Sequence, residues 1–331
     1  MAMNISFEPI IGQNRAKTFL KVSFERDRTC HAYLFRGPAG VGKKTLAMSF
    51  AAYMNCLSPS AGDVCGSCSS CRKFMSGNHP DLIYVEPQGA VVKINQIREL
   101  KKDIIFPPFE ARYRVILIPD IHSTMRRKEV ANSLLKILEE PPDQTVFILT
   151  GDEAGHILPT ILSRCQIIPF YSLNYGELAL ELQKDGVEQE TAATLAAIAE
   201  GSLGRARKFL KQDLLSFRRK VVEQLLYLSP DHPDSVEVIF QLAEETAGMK
   251  EDVDELLDLL SIWIRDVILA GKDLGAQVVS RDVLDLLPSA VQRWSIDALT
   301  GHLSSISAAR KQFRSNCTRT LVCEVLFFDM L

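Results

Sequence analysis

Short apolar runs alternate with amphipathic segments along the first 170 residues of the chain. The apolar runs have the length of buried strands, and the amphipathic segments place apolar residues at helical spacing. Strands that alternate with helices predict a parallel α/β sheet with helices on both faces. A strand, a glycine loop and a helix fall within 31–56, further strands within 81–87, 113–120, 145–151 and 166–170, and further helices within 93–106 and 129–142.

Beyond residue 171 the pattern is helical throughout, with turn signals at 229–234, 270–276 and 286–290. No internal repeat and no low-complexity tract interrupts it. The sequence therefore predicts an α/β core over 1–170, a small helical domain over 171–208 and an all-helical C-terminal domain over 209–331.

Composition narrows the class of protein. The chain has 331 residues, 47% hydrophobic and 24% charged, with a net charge of -3, which is ordinary for a soluble globular protein. The near-neutral charge disfavours a strongly basic nucleic-acid binder that acts alone. No apolar run is long enough to span a membrane, and the first residues do not resemble a signal peptide, so we predict a cytoplasmic protein.

The segment GPAGVGKKT, at 37–45, nearly matches a phosphate-binding loop. Such a loop needs glycines that turn main-chain N–H groups toward an anion, then a lysine and a hydroxyl that binds Mg²⁺. The lysine is present as Lys43, but Lys44 occupies the hydroxyl position and Thr45 comes one residue late. The alternative is a glycine-rich turn before an ordinary helix. The loop glycines are Gly37, Gly40 and Gly42.

The strand at 113–120 also differs from the pattern of an active NTPase. An NTPase needs carboxylates at the end of a neighbouring strand to hold Mg²⁺ and to polarise water. Here Asp120 is the single carboxylate, Pro119 precedes it and His122 follows. Lys44 and Pro119 both depart from the residues expected at one magnesium site, so we predict that the chain no longer hydrolyses ATP. The sequence does not decide whether it still binds ATP or ADP. An alternative retains hydrolysis, with Thr45 supplying the hydroxyl and Asp120 holding the metal alone.

Four cysteines lie within sixteen residues. Their number and spacing match a tetrahedral Zn²⁺ site, and four thiolates leave no open position for catalysis, so we predict a structural zinc module over 56–71. Free or redox-active thiols and an iron–sulfur cluster are the alternatives. The ligands are Cys56, Cys65, Cys68 and Cys71, and the other cysteines (Cys30, Cys165, Cys317 and Cys323) are expected to pack as small apolar residues.

Two arginines and one basic cluster are candidates for contacts with phosphate groups. Arg164 precedes the last predicted strand, and Arg205 begins the helix after GSLG. A short basic cluster, TMRRKE, follows the strand that ends at Asp120. Each arginine could reach a phosphate, but by its own pattern each is more typical of a solvated surface charge.

Taken together and in order, the motifs resemble the bacterial DNA polymerase III clamp-loader subunits of the AAA+ class. The resemblance covers residues 6 to about 210, and more weakly the last helices, FRSNCTRTLVCEVLFFDML at 313–331. It rests on the segments IIGQNRAKTFL, HAYLFRGPAGVGKKTLA, NHPDLIYVEP, NSLLKILEEPP and LPTILSRCQ, together with the four cysteines.

The resemblance implies roles for these residues. It makes 171–208 the helical lid and 209–331 the collar that joins subunits. Arg164 matches the arginine that acts in trans on a neighbouring ATP site, and Arg205 matches the nucleotide-sensing arginine of the lid. Pro119 and Asp120 stand where the ATPase motor subunits carry Asp-Glu, so the departures favour the delta-prime type, a stator that is not catalytic alone.

Partners also follow from the resemblance. They are the gamma/tau motor subunits and the delta subunit, with the sliding clamp and primer–template DNA reached through the complex. Two other functions compete with this one: an active ATPase motor, and a stand-alone zinc-containing DNA-binding protein, which the net charge disfavours.

Overall fold

The computed structural model describes residues 4–89, 91–125, 128–152, 157–229, 233–272, 274–315 and 317–331. Arg126 and Arg127 of the basic cluster, and residues 230–232 of the turn expected at 229–234, lie outside them. The chain forms two compact units, residues 1–173 and 174–331. Within the described part, no helix combines the length and apolar character that crossing a membrane requires.

The first unit is built on a five-stranded parallel sheet, which confirms the predicted α/β class. The strand order is β2-β3-β4-β1-β5, so the strand that leads into the glycine loop lies between β4 and β5. The strands are β1 (Ala32–Arg36), β2 (Leu82–Tyr84), β3 (Arg114–Ile118), β4 (Thr145–Gly151) and β5 (Gln166–Pro169).

Helices cover both faces of this sheet because side chains alternate along each strand. On β1, Tyr33 and Phe35 belong to one buried cluster, and Ala32 and Leu34 to another. The first cluster includes residues of α1, α2 and α3, and the second includes residues of α4 and α6. The helices are α1 (Asn14–Glu25), α2 (Lys43–Met54), α3 (Ser69–Ser76), α4 (Ile94–Asp103), α5 (Ile121–Thr124), α6 (Lys128–Glu139) and α7 (Pro159–Leu162).

The second unit is helical, as the sequence predicts. One buried cluster that includes Trp263 and Trp294 forms the core of the part from α11 to α16. The predicted division of this unit into a lid and a collar stays a prediction. The helices are α8 (Tyr175–Lys184), α9 (Gln189–Ile198), α10 (Leu203–Lys211), α11 (Leu214–Tyr227), α12 (Pro233–Gly248), α13 (Val253–Ala270), α14 (Leu287–Arg293), α15 (Ile296–Arg314) and α16 (Arg319–Asp329), with 3₁₀ turns at Lys250–Asp252, Gly275–Gln277 and Arg281–Leu286.

Candidate functional site

The glycine loop connects β1 to α2 at the carboxyl edge of the sheet, where ligands of open α/β sheets bind. Gly37 has no room for a side chain, because a Cβ there would lie 2.3 Å from the carbonyl oxygen of Phe170. Gly42 caps α2 with φ of 94°, a conformation that favours glycine. Gly40 lies between them in the same turn, also at positive φ. The strand, loop and helix are therefore arranged as a phosphate loop requires.

Lys43 is buried and turned back onto its own loop. Its Nζ donates hydrogen bonds to the carbonyl oxygens of Gly37 and Pro38, the latter at 2.6 Å. Burial lowers the pKa of Lys43, while the charges of Asp120 and Asp152 act in the opposite direction. The charges of both carboxylates thus act on the lysine, and its ammonium is held against carbonyl oxygens of its own loop.

Lys44 and Thr45 are both exposed in the first turn of α2. The Lys44 ammonium lies over the ring of Tyr84, 4.3 Å from its centre. Tyr84 ends β2, so this cation–π contact directs the side chain toward the edge of the sheet. A protonated amine has no lone pair for a metal, so Lys44 cannot supply the ligand that a hydroxyl supplies here.

Asp120 follows β3 and begins α5 with a left-handed backbone, φ of 47°. Its N–H donates to Thr150 Oγ1 at 2.9 Å, and the Thr150 hydroxyl lies 3.4 Å from Asp120 Oδ1. Thr150 is buried near the end of β4, opposite Phe35 of β1. Sequence reasoning missed Thr150. The signal was available, since TVFILTG is an apolar strand that ends on a hydroxyl at the same edge of the sheet.

His122 does not supply the missing acid. Its Nδ1 accepts the main-chain N–H of Asp152 at 3.1 Å, so the ring is used to hold the turn after β4. Pro119 contributes a carbonyl oxygen that accepts from the Thr124 hydroxyl at 3.1 Å. The site thus has one exposed carboxylate on β3, that of Asp120, with a buried hydroxyl beside it.

Arg164 lies in the turn between α7 and β5, with its side chain 33% exposed. This position is at the amino end of β5, whereas the glycine loop and Asp120 lie at the carboxyl ends of β1 and β3. Its Nη2 lies 2.5 Å from Glu139 Oε1. Since amino and carboxyl ends of parallel strands lie at opposite edges, the structure does not bring Arg164 to the nucleotide loop of its own chain.

Arg205 lies in the second unit, in the first turn of α10. Its Nη2 donates to Asp258 Oδ2 at 2.8 Å and its Nε donates to Glu255 Oε2 at 3.2 Å. Arg310 also pairs with Asp258, at 2.5 Å. The network ties α10 to α13 and α15, a role for Arg205 that the sequence pattern did not indicate.

The four cysteines converge between α2 and α3. Their Sγ atoms all lie within 4.8 Å of one another, with Cys56–Cys71 at 3.7 Å and Cys65–Cys71 at 3.9 Å. A tetrahedral ion with bonds of about 2.3 Å places its sulfurs about 3.8 Å apart. The donor set therefore fits one tetrahedral ion of the kind that binds thiolates. All four are free cysteines rather than disulfides.

Main-chain N–H groups approach three of these sulfurs. The N–H of Cys65 donates to Cys56 Sγ at 3.3 Å. The N–H of Cys68 donates to Cys65 Sγ, and that of Cys71 donates to Cys68 Sγ, both at 3.4 Å. Hydrogen bonds to its sulfur lower the pKa of Cys65 to about 6. Burial raises the pKa of Cys71 in the same cluster, so a thiolate at Cys71 needs a cation beside it.

The predicted nucleotide-site residues and the four cysteines lie in different parts of the first unit. The glycine loop, Lys43, Lys44 and Asp120 share the carboxyl edge of the sheet. The cysteines lie beyond the far end of α2, a helix of 12 residues and hence about 18 Å long. The metal-type cluster is therefore distant from the nucleotide loop, which is consistent with a structural role.

Comparison with known proteins places the chain in a family. A family model described as "DNA polymerase III, delta subunit" matches residues 12–174, and one described as "DNA polymerase III, delta subunit, C terminal" matches residues 212–331. The chain belongs to the DNA polymerase III delta family. The two matches leave outside them the first 11 residues and the segment 175–211, which contains α8, α9 and α10.

Individual proteins that are similar to this chain include other DNA polymerase III subunits. The chain is 29% identical to DNA polymerase III subunit delta' of Bacillus subtilis over 92% of each chain. It is 34% identical to subunit delta' of Pseudomonas aeruginosa over 60% of this chain and 61% of the relative. It also resembles subunit tau/gamma of Haemophilus influenzae, 29% identical over 76% of this chain, but it spans only 39% of that longer relative.

Among solved structures, a gamma-subunit-related protein of Thermotoga maritima is similar over 94% of this chain and 97% of that one. The identity is 18% and the TM-score 0.47, a likeness too remote to bear on function.

Proposed function

We propose that this chain is a delta-prime-type subunit of the DNA polymerase III clamp loader, the assembly that loads the sliding clamp onto primed DNA. It serves as a stator beside the gamma/tau motor subunits and the delta subunit, and it meets the clamp and primer–template DNA through the complex. The delta' relative from Bacillus subtilis, which aligns over 92% of each chain, supports this proposal.

The observation that carries the proposal is the position of Lys44. Lys44 stands at the sequence position where a phosphate loop has the hydroxyl residue that binds Mg²⁺. Its ammonium lies 4.3 Å from the centre of the Tyr84 ring. Asp120 is the single carboxylate at the end of β3, because Pro119 precedes it. A phosphate loop that lacks two metal contacts is expected to bind nucleotide weakly and to hydrolyse none. The chain's own nucleotide site is therefore degenerate.

Arg164 acts in trans in this proposal. The guanidinium has five N–H groups, and three described acceptors take one each: Glu139 Oε1, the Thr160 carbonyl oxygen and Ser163 Oγ. Two N–H groups remain for an external oxygen, on a side chain that is 33% exposed. An arginine held in this way can stabilise charge on the γ-phosphate of a neighbouring subunit.

The cysteine cluster is proposed to hold one structural Zn²⁺. Four sulfurs within 4.8 Å of one another enclose room for one ion and too little for the several atoms of an iron–sulfur cluster. The ion would be bound by all four thiolates, so it has no open position for chemistry and stabilises the segment between α2 and α3.

Two observations favour a second candidate, an active motor subunit. The glycine loop and Lys43 are intact and correctly placed between β1 and α2, and tau/gamma subunits are also among the relatives. In that case Thr45 supplies the hydroxyl after a small shift of the loop, and Asp120 holds the metal alone.

Steady-state ATPase of the reconstituted loader, with clamp and primed DNA, separates the two candidates. The wild type is compared with Lys43→Ala and Arg164→Ala in this chain, and the isolated chain is assayed beside them. For a stator we expect that the isolated chain does not hydrolyse ATP and that Lys43→Ala leaves the ATPase rate of the complex nearly unchanged. Arg164→Ala should lower the rate of the complex at least several-fold, because an arginine finger contributes about 10³–10⁵ at one site.

The opposite pattern identifies a motor. An isolated chain that hydrolyses ATP, and loses that activity with Lys43→Ala, contradicts the stator proposal. An inactive isolated chain whose Arg164→Ala variant supports the full rate of the complex contradicts the role of Arg164 in trans.

A further inference from the structure

Three contacts hold Arg164 in one orientation. Its Nη1 donates to the Thr160 carbonyl oxygen at 3.0 Å and to Ser163 Oγ at 3.1 Å, while Nη2 donates to Glu139 Oε1 at 2.5 Å. Thr160 and Ser163 lie within four residues of Arg164, so they restrain one end of the guanidinium locally. Glu139 comes from another helix and restrains the other end.

Glu139 lies where a carboxylate is electrostatically unfavourable. It is the last residue of α6, and the negative end of a helix dipole disfavours a carboxylate in its last turn. Two prolines at 141 and 142 follow and cannot continue the helix, and the Glu139 carboxylate contacts Arg164 in the turn before β5. The Arg164 guanidinium offsets this cost, so the carboxylate and the arginine hold each other in place.

The residues on either side of Arg164 complete the support. The Ser163 hydroxyl donates to the Thr160 carbonyl oxygen at 3.1 Å, so its own oxygen is oriented to accept from Arg164. Cys165 packs against the buried cluster that includes α4 and α6, and burial raises its pKa to about 12. The sequence SRC therefore anchors the turn with its cysteine, supports the guanidinium with its serine and exposes the arginine between them.

We propose that Glu139 is a positioning residue for Arg164, which fixes the guanidinium so that its remaining N–H groups face a neighbouring subunit. The inference rests on the proposed function, since it assigns a residue that prepares the arginine for the neighbour's ATP site. Its hydrogen-bonding oxygen matters more than its charge, because what it supplies is orientation.

The test uses the reconstituted loader with clamp and primed DNA, and measures kcat and KM for ATP. Glu139→Ala is expected to lower kcat several-fold and by no more than Arg164→Ala does, because loss of orientation by about 1 Å can cost up to about 10²-fold. KM should change little, since the arginine acts on the transition state. Glu139→Gln keeps an acceptor oxygen and should restore most of the lost rate.

Two controls separate positioning from a general structural role. Glu140→Ala removes the adjacent exposed carboxylate and should behave as the wild type. In an Arg164→Ala background, Glu139→Ala should have no additional effect on kcat, since it acts through the arginine. Thermal unfolding of the full chain should be the same for all these variants, because an exposed pair contributes little to stability.

Each contrary outcome has a distinct meaning. If Arg164→Ala lowers the rate and Glu139→Ala does not, the positioning role is wrong and the proposed function stands. If Glu139→Gln raises kcat above the wild-type value, the carboxylate restrains the arginine electrostatically, and the inference is again overturned. If Arg164→Ala itself has no effect, the role in trans fails and the inference fails with it.

Discussion

The ammonium of Lys44 lies 4.3 Å from the centre of the Tyr84 ring, so the first turn of α2 is connected to the end of β2 by a cation–π contact. The contact is exposed and is worth about 0.5–1 kcal/mol. It nevertheless gives Lys44 a partner in the folded state, at the position where a nucleotide-hydrolysing loop presents a hydroxyl to Mg²⁺. Lys44 therefore contacts an aromatic ring of the sheet although its side chain is exposed.

Lys44→Thr is expected to introduce magnesium dependence into nucleotide binding. In the wild type, ATP should bind weakly and equally with Mg²⁺ or with EDTA, because no hydroxyl is available. In the variant, Mg²⁺ should lower Kd for ATP by about tenfold, the scale of one charge-assisted contact. Isothermal titration calorimetry with ATP in both buffers measures the difference.

Lys44→Met is the matched control for that experiment. It removes the ammonium and adds no hydroxyl, so it should gain no response to Mg²⁺. Tight, magnesium-dependent binding in the wild type would show instead that Thr45 and Asp120 complete the site.

The purified chain is expected to carry about one equivalent of zinc. Cys65→Ser should lose most of that metal and unfold at a lower temperature, because a structural ion contributes directly to folding. Cys317 is exposed, so the prediction that it packs as a small apolar residue is wrong. Cys317→Ser, outside the cluster, should retain the metal. Mass spectrometry of the metal content gives the result, and iron together with visible absorbance would identify an iron–sulfur cluster instead.

Arg205→Ala is expected to destabilise the second unit by about 1–3 kcal/mol, because it removes charge-assisted hydrogen bonds to Glu255 and Asp258. The two tryptophans of the chain, Trp263 and Trp294, both lie in that unit. Tryptophan fluorescence during urea unfolding therefore reports on this unit alone.

Arg207→Ala is the matched control, two residues further along α10. Arg207 pairs with Asp185 at the surface, so its removal should cost less than about 1 kcal/mol. If Arg205→Ala leaves stability unchanged but slows ATP hydrolysis by the complex, the nucleotide-sensing role that the resemblance implies is favoured over the structural one.

Acid is expected to destabilise the second unit through His302. Burial lowers the pKa of His302, while the charge of Asp329 acts in the opposite direction. Because the folded pKa lies below the unfolded value of about 6.5, the stabilisation is full above that pH and is lost as pH falls through the folded pKa. Urea midpoints from tryptophan fluorescence at pH 7.5 and 5.5 measure the loss.

His302→Gln should reduce that difference between the two pH values, whereas His31→Gln, at an exposed histidine, should leave it unchanged. An identical pH response in wild type and His302→Gln would assign the acid sensitivity to other groups.

The fold was largely accessible from the sequence, since strand-length apolar runs and helical spacing report local burial. The runs at 113–120 and 145–151 became the neighbouring strands β3 and β4, and the prolines after Glu139 coincide with the end of α6. Thr150 was missed, because its importance depends on β4 lying between β1 and β3, and strand order is not encoded in local pattern.

The cysteine cluster and the glycine loop were predictable for a different reason. Each depends on residues close in sequence, so short-range geometry alone brings the four sulfurs within 4.8 Å and turns the loop at Gly42. The partners of Arg164 and Arg205 were not predictable in this way. Glu139 is 25 residues from Arg164, and Glu255 and Asp258 are 50 and 53 residues from Arg205.

The sequence by itself thus determined the elements, the glycine loop, the four clustered cysteines and the two departures from the NTPase motifs, at Lys44 and Pro119. These properties follow from residue type and local spacing. Only the tertiary structure decided that Lys44 contacts Tyr84, that Thr150 joins Asp120 and that Glu139 holds Arg164. Such contacts form between segments that packing of the apolar core brings together, and the polar pattern of each segment alone does not specify its partner.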